Sequence, residues 1–309
     1  PLSRRALAIC EKSLGSDHPE VATSLNNLAG VLSGQGQYGA AELLHRRALS
    51  IREKTFGLDH PEVASSLDNL AGVLIDQGKY GAAQSLSRQA LAITEKSLGQ
   101  EHLGVAVRLN NLAGLLSLQG QYSAAEVFHR RALAIHEKNL GSDHPDVATS
   151  LNNLAAVLRD QGQYTAAESL QRRVLIINEK TLGSDHPVLA TSLNNLAGLL
   201  SLQGQYSAAE LLHRRALAIR ELNFGPDHSE VAISLNNLAG VLRDQEKYIE
   251  AESFQRRVLA IQIKELGQEH ITVAASLGNL AGLLNLQGQY NIGIPTLRKS
   301  LAIESSWLI

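Results

Sequence analysis

The stretch GSDHPEVATSLNNLAGVLSGQGQYGAAELLHRRALSIREKTF, residues 15 to 56, holds one complete structural unit and decides the fold. Within it Leu25, Leu28, Ala29 and Leu32 fall at i, i+3, i+4 and i+7, the apolar stripe of an amphipathic helix. This helix, A, is expected to begin at Asp17-His18-Pro19-Glu20. There Asp17 can cap the free N–H groups, Glu20 can reach back, and Pro19 is tolerated in the first turn. Helix A is expected to stop near Gly36. A second stripe, Ala41, Leu44, Ala48, Leu49 and Ile51, predicts helix B, closed by Gly57 in a left-handed conformation.

The unit recurs with a shift of 42 residues from one end of the chain to the other. His18, His60, His102, His144, His186, His228 and His270 share one column, and all seven tyrosines, Tyr38 to Tyr290, share another. The units run at about 17–58, 59–100, 101–142, 143–184, 185–226, 227–268 and 269–309, after a truncated helix B in 1–16, as one array without a linker. Neither helix can bury its stripe alone, so units must stack, and the alanines at 29, 41 and 48 let backbones come close. Seven A helices and eight B helices are expected, wound into a superhelix. The motifs "LLSLQ" at 115 and 199 alternate with "VLRDQ" at 157 and 241, as duplication in pairs would leave them.

The run Leu25-Asn26-Asn27-Leu28-Ala29, then Gln35-Gly36-Gln37-Tyr38, Ala41 and Ala48, resembles the tetratricopeptide repeat along the whole chain. It departs from the commoner 34-residue version by its length, by lacking the closing proline, and by carrying His45 where an aromatic residue is usual. "GSDHPEVATSLNNLA" (15 to 29) and "RRALAIHEKNLGSDHPDVA" (130 to 148) are similar to the repeats of kinesin light chains and their bacterial relatives. The resemblance implies an all-α, right-handed superhelical solenoid of antiparallel helix pairs that binds peptide segments of partner proteins in a concave groove. Repeats this uniform also resemble arrays appended to nucleotidase or protease domains in large bacterial regulatory proteins. In that case the repeats would contact another domain of the same full-length chain. The heptad coiled coil that precedes the repeats of kinesin light chains is not found in these residues.

Composition narrows the function. A net charge of −2, with 28 basic and 30 acidic residues, gives no electrostatic reason to expect nucleic acid or an anionic membrane. An RNA-reading helical array would also vary its contact residues from unit to unit, and here they are nearly constant. No apolar run approaches the roughly 20 residues that cross a bilayer, and no leader opens the sequence. The single cysteine, Cys10, cannot form an internal disulfide, which fits a reducing compartment and favours the cytoplasm. The absence of methionine and the start at Pro1, in the slot of Pro295, suggest an excerpt of a longer protein. No phosphate loop, zinc motif or nucleophile motif is present, so neither enzymatic activity nor a cofactor is expected.

The candidate binding residues are the asparagine column Asn27, Asn69, Asn111, Asn153, Asn195, Asn237 and Asn279, with Asn110, Asn152 and Asn194 one position earlier. A side-chain amide both donates and accepts, so a row of them can pair with the backbone of an extended peptide or with a carboxylate. The alternative is that Asn27 bonds a neighbouring helix end. Arg159 and Arg243 stand two turns further along helix A toward the same face and would favour an acidic ligand, unless each pairs with its following Asp160 or Asp244. Kinesin light chains use the asparagine, and an arginine in a similar "RDQ" stretch, within their peptide groove. The seven histidines each belong to a different unit, too far apart to share a metal ion, and are expected to pack between units. The pairs Arg46-Arg47, Arg130-Arg131, Arg172-Arg173, Arg214-Arg215 and Arg256-Arg257 each follow a glutamate at i−4, the pattern of a solvated outer face. In the last unit Gly278, Gly293 and Pro295 break the pattern and Trp307 and Ile309 follow, as in a terminal cap.

Overall fold

The structure, a computed structural model, describes residues 2–307, so Pro1 and Ile309 lie outside the described residues. Fifteen helices follow one another within them: α1 (Leu2–Leu14), α2 (Pro19–Ser33), α3 (Tyr38–Phe56), α4 (Pro61–Asp76), α5 (Tyr80–Leu98), α6 (Leu103–Leu118), α7 (Tyr122–Leu140), α8 (Pro145–Asp160), α9 (Tyr164–Leu182), α10 (Pro187–Leu202), α11 (Tyr206–Phe224), α12 (Ser229–Asp244), α13 (Tyr248–Leu266), α14 (Ile271–Leu286) and α15 (Tyr290–Trp307). Even-numbered helices are A helices and odd-numbered ones are B helices, seven and eight of them. The chain is an all-α repeat solenoid of two compact units, residues 1–161 with α1 to α8 and residues 162–309 with α9 to α15.

Within each unit, an A helix lies against its own B helix and against the B helix before it wherever these belong to the same unit. In the first, α4 packs on α3 and α5, and in the second, α12 packs on α11 and α13. A helices also approach each other, α2 with α4, α6 with α8, and α10 with α12. The predicted stripes form the core: Val21, Ala22, Leu25, Leu28, Ala29 and Leu32 are buried on α2, and Ala41, Ala48 and Ile51 on α3. The alanine column is closed in both units, with Ala41, Ala83 and Ala125 in the first and Ala167, Ala209 and Ala251 in the second without accessible surface. A larger side chain there would force the helices apart.

The start of helix A differs from the sequence expectation. The N-cap is His18, not Asp17: its Nδ1 accepts the N–H of Glu20 at 3.2 Å. The same bond forms at His60, His102, His144, His186, His228 and His270, at 3.0 to 3.2 Å. Residue 18 has extended backbone (φ −75°, ψ 142°), which turns its ring back over the first turn. The acid before it is free for another task, and Asp227 binds Lys264 of α13 at 2.7 Å. Nor does the following carboxylate close a capping box where its partner is seen, since Glu62 and Glu230 reach Arg52 and Arg220 of the preceding B helix. The histidines do sit between successive helices, with Phe56 stacked on His60 and Phe224 on His228.

Two glycine columns close the turns in different ways. After helix B, Gly57, Gly99, Gly141, Gly183, Gly225 and Gly267 have φ of 81° to 90° and ψ of 154° to 167°. This is not the left-handed helical conformation expected from the sequence but a region that only glycine enters readily. Between A and B helices φ lies near 75°, and there one unit carries Glu246 at φ 63°. A positive φ of this size is strained for glutamate.

Buried polar side chains join successive helices. Arg52 donates to Ser66 at 3.0 Å, His136 bonds Ser150 at 2.7 Å, Asn178 donates to Ser192 at 2.9 Å and Arg220 to Ser234 at 3.0 Å, each linking a B helix to the next A helix. In alternate repeats His45, His129 and His213 are buried and hold Asn26, Asn110 and Asn194 of their own A helix at 2.8 Å. At the end of α15 Trp307 donates its Nε1–H to Glu269 O at 2.7 Å and sets its ring edge-on to His270. It therefore covers its own repeat, as Asn139 and Asn223 do through the same bond.

Two outcomes follow for stability. Gly183→Ala should destabilise the array by about 1–3 kcal/mol, because alanine is strained at that φ and ψ, whereas Glu246→Gly should stabilise it by relieving strain; urea unfolding of both variants checks the opposite signs. Burial lowers the pKa of His129 and His213 to about 4 and pushes His45 down too. In the unfolded chain these rings take up a proton near pH ~6.5. Between that pH and about 4 the unfolded state binds more protons, so stability must fall as pH falls through this window. His129→Gln with His213→Gln, the residue already present as Gln171 and Gln255, should flatten the dependence. An unchanged slope of unfolding free energy against pH would sink this assignment.

Candidate interaction surface

In each unit the A helices present an exposed strip whose composition differs from the rest of the surface. Asn27, Asn69, Asn111, Asn195 and Asn279 are exposed on it, and Asn153 and Asn237 are half-buried. One turn along each helix stands a glycine, Gly30, Gly72, Gly114, Gly198, Gly240 and Gly282, with Ala156 in α8. Glycine inside a helix costs about 0.5–1 kcal/mol relative to alanine. At none of these six does a Cβ meet another atom within 4 Å, so packing within the chain does not require them.

The amides are also linked to each other across repeats. Asn111 donates to Asp68 at 3.4 Å, and Asn279 donates to Asn236 at 3.3 Å, so an amide of one A helix meets the residue one position earlier in the column of the A helix before it. Asp68 is held by Arg108 as well, but burial pushes its carboxyl above the usual range against the pull of both partners. Most of the earlier column is turned inward, although Asn236 is exposed. Asn110 and Asn194 give their oxygens to His129 and His213, and Asn110 donates to Ser150 at 3.3 Å, while Asn152 is half-buried. Of the two adjacent columns, that of Asn27 faces outward and that of Asn110 serves mainly to join helices.

Arg159 and Arg243 are exposed at the ends of α8 and α12, and each is occupied. Nε and Nη2 of Arg159 donate to Asp160 at 2.9 and 2.8 Å, and those of Arg243 to Asp244 at 3.0 and 2.8 Å. In the second unit the surface is concave: a small hollow of about 100 Å³ brings Arg243, Asn236, Asn279, Gly240 and Gln255 together. It adjoins a wider groove of about 330 Å³ lined by Asn236, Asn237, Asn279, Ile233 and Gln262. Asn236, Gln255 and Gln262 were not expected from the sequence. Asn236 continues the column of Asn110, Asn152 and Asn194 and was legible; the two glutamines belong to helix B and reach this side only through the packing.

The opposite surface, made by B helices, is charged and internally paired. Arg46, Arg130, Arg172, Arg214 and Arg256 bind the glutamate one turn earlier, as their spacing predicts. The second arginine goes further than the solvated face expected of it, because Arg47, Arg131, Arg215 and Arg257 reach Glu11, Glu95, Glu179 and Glu221 of the preceding B helix at 2.5 to 2.7 Å. Such exposed pairs contribute about 0–1 kcal/mol each and fix the register of neighbouring B helices more than they stabilise them. Among the described residues no cluster of three or more His, Cys, Asp or Glu could hold a metal ion, and no helix is long and apolar enough to cross a membrane.

Tetratricopeptide repeat family models match residues 1–20 and 21–62, and again 62–138, 105–175, 146–222 and 224–304. No curated protein sequence matches. Among solved structures, a Podosopora anserina protein described as a kinesin light chain with nearly identical TPR-like repeats is 30% identical, with a TM-score of 0.60 over 67% of this chain and 98% of that one. BtubC (BKLC) from P. vanneervenii is 22% identical, with a TM-score of 0.61 over 81% of this chain and 91% of the other. A STAND signal-transduction ATPase with a tetratricopeptide repeat sensor, from Pyrococcus horikoshii, shares the fold at 14% identity, with a TM-score of 0.73 over 99% of this chain and 44% of its own. The chain belongs to the tetratricopeptide repeat family, with repeats of the kinesin light chain type.

Proposed function

We propose that the A-helix strip is a docking surface for an extended peptide segment of a partner protein, read mainly through its backbone. The observation that carries this is the pairing of outward amides with glycines that internal packing does not require. A peptide backbone can approach closely over a glycine and find a donor and an acceptor on the adjacent amide. Constant residues from repeat to repeat suit a constant feature of the ligand, and every peptide has the same backbone. A preference for acidic ligands has weaker support, because each arginine on this side already binds the aspartate that follows it. Scaffolding, not catalysis, is the role this surface suits.

The fold shared with the tetratricopeptide sensor of the STAND ATPase favours a second reading. In it the same strip receives a segment of another domain of the full-length protein, and chemistry resides elsewhere. Both readings place the contact on the same amides.

The test uses peptides selected from a random display library against the chain. Asn69→Ala with Asn111→Ala, or Asn237→Ala with Asn279→Ala, should weaken a selected peptide roughly several-fold per lost hydrogen bond at about 1 kcal/mol each. Gly72→Ala with Gly114→Ala should also weaken it, while stabilising the helices by about 0.5–1 kcal/mol per site. Weaker binding in a more stable protein separates a lost site from a damaged fold. Unchanged affinity in all three variants, or a library that yields no peptide, would remove the strip from the function.

A further inference from the structure

At three junctions of a B helix with its neighbouring A helices, the chain seats a guanidinium of its own in the same place. Arg52 of α3 donates to Thr23 of α2 at 3.4 Å and to Ser66 of α4 at 3.0 Å, and pairs with Glu62 at 3.0 Å. Arg220 of α11 donates to Ser234 of α12 at 3.0 Å and pairs with Glu230 at 3.3 Å. Between them in sequence Thr94 of α5 is too short, and the cation comes from the other side: Arg108 of α6 donates to Ser65 of α4 at 3.1 Å and pairs with Asp68. Each guanidinium thus has a hydroxyl and an acid to meet it.

Between α12, α13 and α14 the same place is open. It falls in the groove of about 330 Å³, where Ile233, Gln262, Thr272 and Ser276 stand in the columns of Thr23, Arg52, Glu62 and Ser66. No arginine enters from either side, since Gln262 replaces the one on the B helix and Ser276 stands where α6 carries Arg108. The Oε1 of Gln262 is buried without a hydrogen-bond partner among the described residues, an unfavourable state for an acceptor. The acid has moved one turn along α13. There Glu265 replaces Thr55, Asn139 and Asn223, whose side chains donate to the carbonyl one turn back in their own helix. A carboxylate cannot make that bond, and Glu265 lines the groove instead, its Oε1 accepting the N–H of Ser229 at 3.0 Å. The nearby cations are engaged elsewhere, Lys264 with Asp227 at 2.7 Å and Arg243 with Asp244 at 2.8 Å.

A carboxylate, an amide oxygen and a serine hydroxyl, beside apolar walls from Ile233 and Leu266, suit a long side chain with an apolar stem and several donors at its tip. Arginine meets this better than lysine, because its planar guanidinium donates to several acceptors at once. We infer that the groove between α12 and α14 seats an arginine side chain of the docked peptide, in the place that Arg52, Arg108 and Arg220 fill at the other junctions. The inference rests on the A-helix strip being a peptide-docking surface, and it gives that strip one position at which the ligand's sequence is read. Asn237 and Asn279 line the same groove, so the peptide backbone and its arginine are within reach together.

Random peptide libraries displayed on phage and selected against the chain should enrich peptides with arginine at one fixed position, whose binding is lost in Asn237→Ala with Asn279→Ala. Replacing that arginine by citrulline, equal in length but uncharged, should weaken binding roughly ten-fold, as the loss of a charged hydrogen bond does. Gln262→Arg fills the groove from within, as Arg52 and Arg220 do, so the variant should fold with an unchanged circular dichroism spectrum. It should bind the arginine peptide no better than wild type binds the citrulline form. Glu265→Gln should weaken the arginine peptide and leave the citrulline peptide unaffected. Peptides held through Asn237 and Asn279 without a fixed arginine would overturn the arginine site and leave the docking strip standing, whereas a selection that yields no such peptide would overturn both. An arginine peptide that binds folded Gln262→Arg as tightly as wild type, or that loses nothing on exchange for citrulline, would also overturn the site.

Discussion

No helix of this chain can bury its apolar stripe without a neighbour, and that constraint shapes everything else. An A helix is wedged between two B helices, so its buried residues must fit its own repeat and the one before it. When successive layers are nearly identical, each fit becomes a fit of the sequence to itself. This is why the column from Ala41 to Ala251 does not vary: one enlarged side chain would spoil two interfaces. It is also why variation comes in pairs. Where His129 and His213 fill the buried column they hold an asparagine of their own A helix, whereas Gln255 in the alternate repeat donates instead to Ser276 O of the next A helix, at 3.3 Å.

The same constraint divides the surface into two kinds. On the B side the arginines are engaged, one with its own turn and one with the preceding helix, so charge there fixes how neighbours align. On the A side the helices come together without such a lattice of ion pairs, and small or amide side chains occupy the exposed positions. A surface of amides and glycines is poor at holding helices together and well suited to a ligand with a uniform polar backbone. The division between the two kinds of surface therefore follows from which helix is squeezed between two others.

Much of this was legible in the sequence because it depends on spacing alone. The period, the helix stripes and the arginine–glutamate pairs need no knowledge of what lies opposite them. The parts that were not legible depend on direction. His18 and Asp17 are adjacent acceptors, and only the extended backbone at residue 18 decides that the ring caps the helix. Asn26 and Asn27 differ by about 100° around an α-helix, and the neighbouring B helix decides that one meets His45 while the other faces out. Gly57 reads as a left-handed turn, but its ψ of 164° places it in a conformation that only glycine enters readily.

The last repeat shows how departures from the pattern can compensate for one another. A Cβ at Gly293 would clash with the side chain of Asn285, so the loss of the usual alanine and the gain of asparagine in place of serine are one change, not two. Trp307 makes the bond that asparagine makes in earlier repeats, so it too belongs to the repeat it covers. Leu297 has its counterpart too: Gly278 on α14 stands where Asn110 and Asn194 meet the histidine of that column, so the polar pair is lost from both helices at once.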